Sequence, residues 1–73
     1  MEIYFSRHAR RQMRWRRISE AEVEAVLAAP DRNEPTTRGG KNSWRAMGER
    51  LLRVTYQEEP GRFVIVTAVD KRD

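Results

Sequence analysis

The chain has 73 residues, of which 38% are hydrophobic and 36% are charged, and its formal net charge is +4. A chain of this length is expected to form one domain over residues 1–73, with a small core. The sequence contains no cysteine, which excludes a disulfide scaffold, a cysteine–zinc site and a thiol nucleophile. The excess of basic residues favours an anionic partner, which could be a nucleic acid, an acidic protein or a membrane surface.

The hydrophobic stretches are short. The longest strongly apolar one covers residues 63–69, far fewer than the ~20 residues of a membrane-spanning helix. Residues 1–5 are too few and too acidic for a signal peptide. The basic segment that follows offers only Ala9, Met13 and Trp15 for burial in lipid, which disfavours a membrane-surface helix. We therefore expect a cytoplasmic protein with no membrane partner.

The first half of the chain predicts a short strand at residues 2–5 followed by two helices. Ser6 is placed to cap a first helix that ends near Arg16. Ser19 fits the N-cap of a second helix and Glu22 its third helical position, the arrangement of a capping box. This is the strongest local signal in the sequence.

The second half predicts β-structure. A short edge strand is expected near 36–38, followed by strands at about 42–47, 51–57 and 62–69, because turn residues separate the alternating and apolar runs. The last strand is apolar on both faces, which is typical of a central position. The fold class is therefore α+β. We expect a strand, two helices and then an antiparallel meander of three or four strands, with both helices on one sheet face and the other face partly open.

Arginine is concentrated in the first predicted helix, where residues 7–17 include six arginines. Helical spacing places most of them opposite Ala9 and Met13, while His8 should lie at the boundary between core and solvent. Such a face can neutralise phosphates. The candidate nucleic-acid-binding residues are Arg7, Arg10, Arg11, Arg14 and Arg17. An acidic protein would suit the same face, and the sequence does not distinguish the two partners.

Several motifs in this order resemble the DUF4258 family of small bacterial proteins. The motifs are Phe5-Ser6-Arg7-His8-Ala9, Arg17-Ile18-Ser19, Leu52-Arg53-Val54 and Val64-Ile65-Val66-Thr67-Ala68-Val69. The resemblance covers nearly the whole chain. It implies the fold of RelE- and BrnT-like toxins within the barnase-like nuclease group. Some of those relatives resemble ribonucleases of toxin–antitoxin modules, so the resemblance also implies RNA as substrate and an antitoxin as partner.

Metal-independent RNA cleavage needs a base, an acid and cations that stabilise the phosphorane. Histidine exchanges a proton most readily near neutral pH, and His8 is the only histidine in the chain. Arg53 is a candidate for holding the scissile phosphate with two hydrogen bonds, and Thr67 for orienting a phosphate oxygen. A packing histidine, a solvated strand arginine and a strand-favouring threonine are the structural interpretations of the same residues. Tyr56 is expected to pack in the core.

Three functions therefore remain open. The first is a metal-independent ribonuclease toxin with His8, Arg53 and Thr67 as catalytic residues. The second is a non-catalytic RNA-binding module, in which Trp15 and Trp44 are candidates for stacking on bases as well as for packing. The third is a protein-interaction subunit with an acidic antitoxin as partner. No second acid–base residue stands out, so the sequence leaves open whether the protein is an enzyme. No cofactor or metal ligand set is expected.

Overall fold

The computed structural model describes residues 2–72, which form a five-stranded mixed sheet with two helices. The elements are β1 (Glu2–Phe5), α1 (Arg7–Arg16), α2 (Glu20–Ala28), β2 (Arg32–Pro35), β3 (Lys41–Met47), β4 (Arg50–Glu59) and β5 (Arg62–Asp70). The strands are arranged in the order β1-β5-β4-β3-β2. Within these residues no helix is long and apolar enough to cross a membrane.

Both helices begin at the predicted caps. The Ser6 hydroxyl accepts a hydrogen bond from the main-chain N–H of Ala9 at 3.0 Å. Ser19 and Glu22 form the complete capping box, because each side chain accepts a hydrogen bond from the other residue's main-chain N–H, at 3.1 and 2.9 Å. Such caps satisfy donors that a helix leaves unpaired in its first turn. The C-cap residue of α1 is Arg17, which adopts a left-handed conformation with φ 57°.

The sheet differs from the predicted antiparallel meander, because β1 pairs parallel to β5. The pairing places Phe5 beside Ile65, and both side chains are buried in the core. It joins segments about sixty positions apart, which a local pattern of alternation cannot predict. β5 consequently lies between β1 and β4, as the apolar character of both its faces predicts.

The edge strand was predicted near 36–38 but lies at Arg32–Pro35. The predicted segment instead forms the turn into β3. The Thr36 hydroxyl accepts hydrogen bonds from the main-chain N–H groups of Arg38 at 3.3 Å and Gly40 at 3.0 Å. Gly39 has φ 83°, a conformation that glycine adopts without steric cost. These turn contacts exclude residues 36–38 from the sheet ladder.

The core lies between the helices and one face of the sheet. Its buried side chains include Ala9 and Met13 of α1, Val23 and Val26 of α2, and Leu52, Val54, Tyr56 and Ile65 of the sheet. The alternate positions of β4, Leu51, Arg53 and Thr55, point to the other face and are half-buried. We call this second surface the open face. Its partial exposure matches the sequence prediction and makes its side chains available for function.

Candidate nucleic-acid interface

The outward side of α1 forms a cationic pocket at the end of β1. The pocket has a volume of about 350 Å³ and is lined by Tyr4, Phe5, Arg7, Arg10, Arg11 and Arg14. Four of the five predicted nucleic-acid-binding arginines therefore converge on one concave surface. They converge because Ala9 and Met13 face the core and the arginines occupy the opposite side of the helix. We call this site the arginine pocket.

Most of the positive charge in the arginine pocket is uncompensated. Arg10 donates a hydrogen bond to the Glu20 carboxylate at 3.0 Å. Within residues 2–72, Arg7, Arg11 and Arg14 have no carboxylate partner. Arg17 lies at the C-cap of α1, outside the pocket, and its main-chain oxygen accepts a hydrogen bond from Arg50. Exposed, unpaired guanidinium groups on one helix are suited to binding phosphate oxygens.

His8 belongs to the same helix. It was predicted to lie at the boundary between core and solvent, but its side chain is exposed to solvent. It lies outside the buried stripe because only Ala9 and Met13 of α1 are buried. Successive helical positions differ by about 100°, so His8 lies about 200° from Arg10, which faces α2 through Glu20. His8 is therefore on the flank of α1 directed away from α2. The imidazole has no hydrogen bond or ion pair in the described chain.

Arg53 and Thr67 lie on the open face, as strand alternation predicts. Arg53 of β4 is paired in register with Trp44 of β3 and Val69 of β5, while Thr67 is paired with Thr55. Arg53 and Thr67 are therefore diagonal neighbours on adjacent strands. The Arg53 guanidinium has no carboxylate partner in the described residues and lies 5.6 Å from the centre of the Trp44 ring.

The three predicted catalytic residues are thus divided between α1 and the open face. The two regions meet where α1 begins: Ser6 donates hydrogen bonds to the main-chain oxygens of Ile65 at 3.1 Å and Val66 at 3.4 Å. His8 follows Ser6 by two residues, and Thr67 follows Val66. No hydrogen bond within residues 2–72 joins His8 to Arg53 or Thr67. An RNA strand would have to pass over this junction to contact all three.

The two tryptophans occupy different environments. Trp15 is 75% exposed on α1, with the Arg16 guanidinium 5.5 Å from its ring centre. Trp44 is half-buried on the open face. The Arg32 guanidinium lies 4.5 Å from the Trp44 ring centre, across from Arg53. Arg32 could not be assigned to a site from the sequence, because its position beside Trp44 depends on the register between β2 and β3.

These features define a small basic α+β domain with a cationic helix and a partly open sheet face. The chain belongs to the DUF4258 family, described as a domain of unknown function, whose sequence profile matches residues 5–70. The predicted family membership is thereby confirmed. No curated protein and no solved structure matches the chain. Among the described residues, no three histidine, aspartate or glutamate side chains are grouped to hold a metal ion.

Proposed function

We propose that the protein binds RNA through α1 and cleaves it without a metal ion, as the toxin of a toxin–antitoxin module with a RelE-like fold. The arginine pocket carries this proposal, because three of its arginines, Arg7, Arg11 and Arg14, have no carboxylate partner within residues 2–72. A guanidinium can bind a phosphate through two parallel hydrogen bonds and keeps its charge at all relevant pH values.

In the proposed reaction, His8 acts as the base. It removes the proton of a 2′-hydroxyl, and the 2′-oxygen attacks the adjacent phosphorus. The bond to the 5′-oxygen then breaks, and that oxygen takes a proton from water. The products are a 2′,3′-cyclic phosphate and a 5′-hydroxyl. Arginine side chains stabilise the negative charge of the phosphorane, with Arg53 and Thr67 proposed to hold a phosphate of the same strand.

Binding is tested by changing the charge of the arginine pocket. Replacing Arg11 and Arg14 by Gln should weaken the binding of single-stranded RNA and reduce the slope of log K against log salt by about 0.7 per lost phosphate contact. The matched control replaces Lys71 and Arg72, two exposed residues at the other end of the chain, by Gln. An equal loss in both double variants would show that only net charge matters and would contradict a site on α1.

Catalysis is tested with end-labelled RNA in the presence of a chelator. The wild-type protein should produce 2′,3′-cyclic phosphate ends, and His8→Ala should abolish cleavage while retaining RNA binding. Retention is expected because the His8 imidazole is exposed and makes no hydrogen bond or ion pair within the described residues. Cleavage that is unchanged in His8→Ala would refute the role of His8. Binding without cleavage by the wild-type protein would instead identify a non-catalytic RNA-binding module.

A second candidate function is the recognition of an acidic protein partner, the antitoxin of the proposed module. Two observations favour it. The arginine pocket would suit carboxylates as well as phosphates. The edge strand β2 is exposed along its whole length and pairs only with β3, so a partner strand can be added there. An antitoxin that competes with RNA for α1 would lose affinity in the same Arg11 and Arg14 variant.

A further inference from the structure

A second pocket lies on the open face, apart from the arginine pocket. It has a volume of about 230 Å³ and is lined by Asp31, Arg32, Trp44 and Leu51. The indole of Trp44 supplies its aromatic surface, with the Arg32 guanidinium 4.5 Å from the ring centre. We call this site the Trp44 pocket.

Asp31 is held in place at the Trp44 pocket by main-chain contacts. Its N–H donates a hydrogen bond to the Trp44 main-chain oxygen at 2.7 Å. Its Oδ2 atom accepts a hydrogen bond from the Ala46 N–H at 2.8 Å. The Oδ1 atom has no hydrogen-bond partner in the described chain. An ionised carboxylate only accepts hydrogen bonds. Asp31 Oδ1 can therefore accept a hydrogen bond from a ligand in the pocket.

The side chains around Trp44 also have unused capacity for donating hydrogen bonds. Trp44 Nε1 and Arg53 Nε are buried and have no hydrogen-bond partner within residues 2–72. Buried donors without partners are uncommon in folded proteins. Arg53 in addition carries a charge that no described carboxylate balances. An anionic ligand with an aromatic ring would match both the charge and the indole.

We propose that the Trp44 pocket binds one base of the RNA and selects cytosine over uracil. This proposal rests on the proposed function, because it takes RNA as the ligand. The base stacks against Trp44 and the Arg32 guanidinium, an arrangement common in the recognition of unpaired bases. Asp31 Oδ1 accepts a hydrogen bond from the exocyclic amino group of cytosine. Uracil presents a carbonyl oxygen at the same position, which the carboxylate repels. Arg53 attracts the phosphate that accompanies the base.

The test uses protein with Trp15→Phe and His8→Ala, in which Trp44 is the only tryptophan and RNA is bound without cleavage, and oligocytidylate and oligouridylate of equal length as probes. Oligocytidylate should quench Trp44 fluorescence and bind about tenfold more tightly than oligouridylate, the effect of one hydrogen bond to a charged group. In Asp31→Asn the amide oxygen can still accept from Ala46, while the amide nitrogen becomes a donor toward the base. The preference for oligocytidylate should therefore disappear or reverse. Glu49→Gln, which removes an exposed carboxylate in the β3–β4 turn, should leave the preference unchanged.

The outcomes separate this site from the proposed function. Salt-dependent binding of both probes without a change in Trp44 fluorescence would overturn the Trp44 pocket and leave RNA binding by α1 intact. Quenching with equal affinities would overturn the selection of cytosine by Asp31. Absence of binding to either probe, in folded protein, would refute the RNA function itself.

Discussion

Arg50 connects both helices to the sheet through one side chain. Its guanidinium donates hydrogen bonds to the main-chain oxygens of Arg16 at 3.1 Å and Arg17 at 3.2 Å. The same guanidinium lies 3.1 Å from the Glu22 carboxylate and 3.4 Å from that of Asp70. The side chain is only 27% exposed, so water screens these contacts less than it screens a surface ion pair. The end of α1, the start of α2 and the end of β5 therefore share one cation.

Replacing Arg50 by Lys should lower the free energy of unfolding by about 2 kcal/mol. The ammonium keeps the charge but cannot donate to several acceptors in a fixed plane, so partly buried acceptors such as the Arg16 main-chain oxygen lose their partner. Urea denaturation measures the change. Arg62→Lys is the matched control, because Arg62 pairs with Glu59 at the surface and such pairs contribute below about 1 kcal/mol. Equal losses in the two variants would show that the contacts of Arg50 are no more important than a surface pair.

Sequence patterns predicted the positions of single residues correctly where those positions depend on alternation within one strand. Strand alternation placed Arg53 on the open face and Tyr56 in the core, where its hydroxyl accepts a hydrogen bond from Asn33 at 2.9 Å. Patterns could not show that Arg32 and Arg53 flank Trp44, because this depends on cross-strand register. They also did not identify Arg50, whose partners come from three distant segments, the end of α1, the start of α2 and the end of β5. Contacts between distant segments are set by tertiary packing.

At the scale of elements, the capping box is expected to control the stability of α2. Ser19→Ala removes the acceptor for the Glu22 N–H, which should cost about 1 kcal/mol. In a domain of this size such a loss lowers the melting temperature by roughly 4–8 °C. Ser19→Thr retains a hydroxyl acceptor and should melt close to the wild-type protein. A thermal melt followed by circular dichroism measures both variants, and equal destabilisation would show that the hydroxyl does not support the helix.

The helices and strands that were predicted correctly are those whose boundaries are set by residues close in the sequence. Both helices begin at residues that cap them within one turn, and β3, β4 and β5 cover the predicted strands. β2 was misplaced because Thr36 and Gly39 form a turn whose contacts are specific to the hairpin. The parallel pairing of β1 with β5 was missed because no local pattern encodes it. The candidate site shows the same division: the arginines of α1 were predicted, whereas the Trp44 pocket was not.

Across the whole molecule, positive and negative charges are distributed differently. Several carboxylates of the sheet and of α2 have basic partners, as in the contacts of Glu22 with Arg50 and Glu58 with Lys41. Among the described residues, several arginines of α1 and Arg53 on the open face have no carboxylate partner. The ion pairs thus join the elements of the fold, whereas the arginines without a carboxylate partner leave a cationic surface. Because these ion pairs need ionised carboxylates, the free energy of unfolding should fall when acid protonates the carboxylates.

Asp70, at the end of β5, is the carboxylate for which this pH dependence is clearest. It accepts hydrogen bonds from the main-chain N–H groups of Arg72 at 3.0 Å and Leu51 at 3.1 Å and contacts Arg50. These donors, foremost the Arg72 N–H, hold the pKa of Asp70 below its ordinary value. Because the pKa is lower in the folded state, ionised Asp70 stabilises the fold fully at pH values above the pKa that Asp70 has in the unfolded chain. This contribution is lost as pH falls through the folded-state pKa of Asp70.

We therefore expect Asp70→Asn to destabilise the protein at neutral pH and to reduce the loss of stability on acidification. The two proteins should approach each other in free energy of unfolding only as pH falls through the folded-state pKa of Asp70, which lies below the ordinary value of an aspartate, because the carboxyl group is then protonated and as neutral as the Asn amide. Urea denaturation at a series of pH values between neutral and strongly acidic measures both curves. Parallel curves with a constant offset would mean that Asp70 acts only through its shape and hydrogen bonds, and that other carboxylates determine the acid stability of the domain.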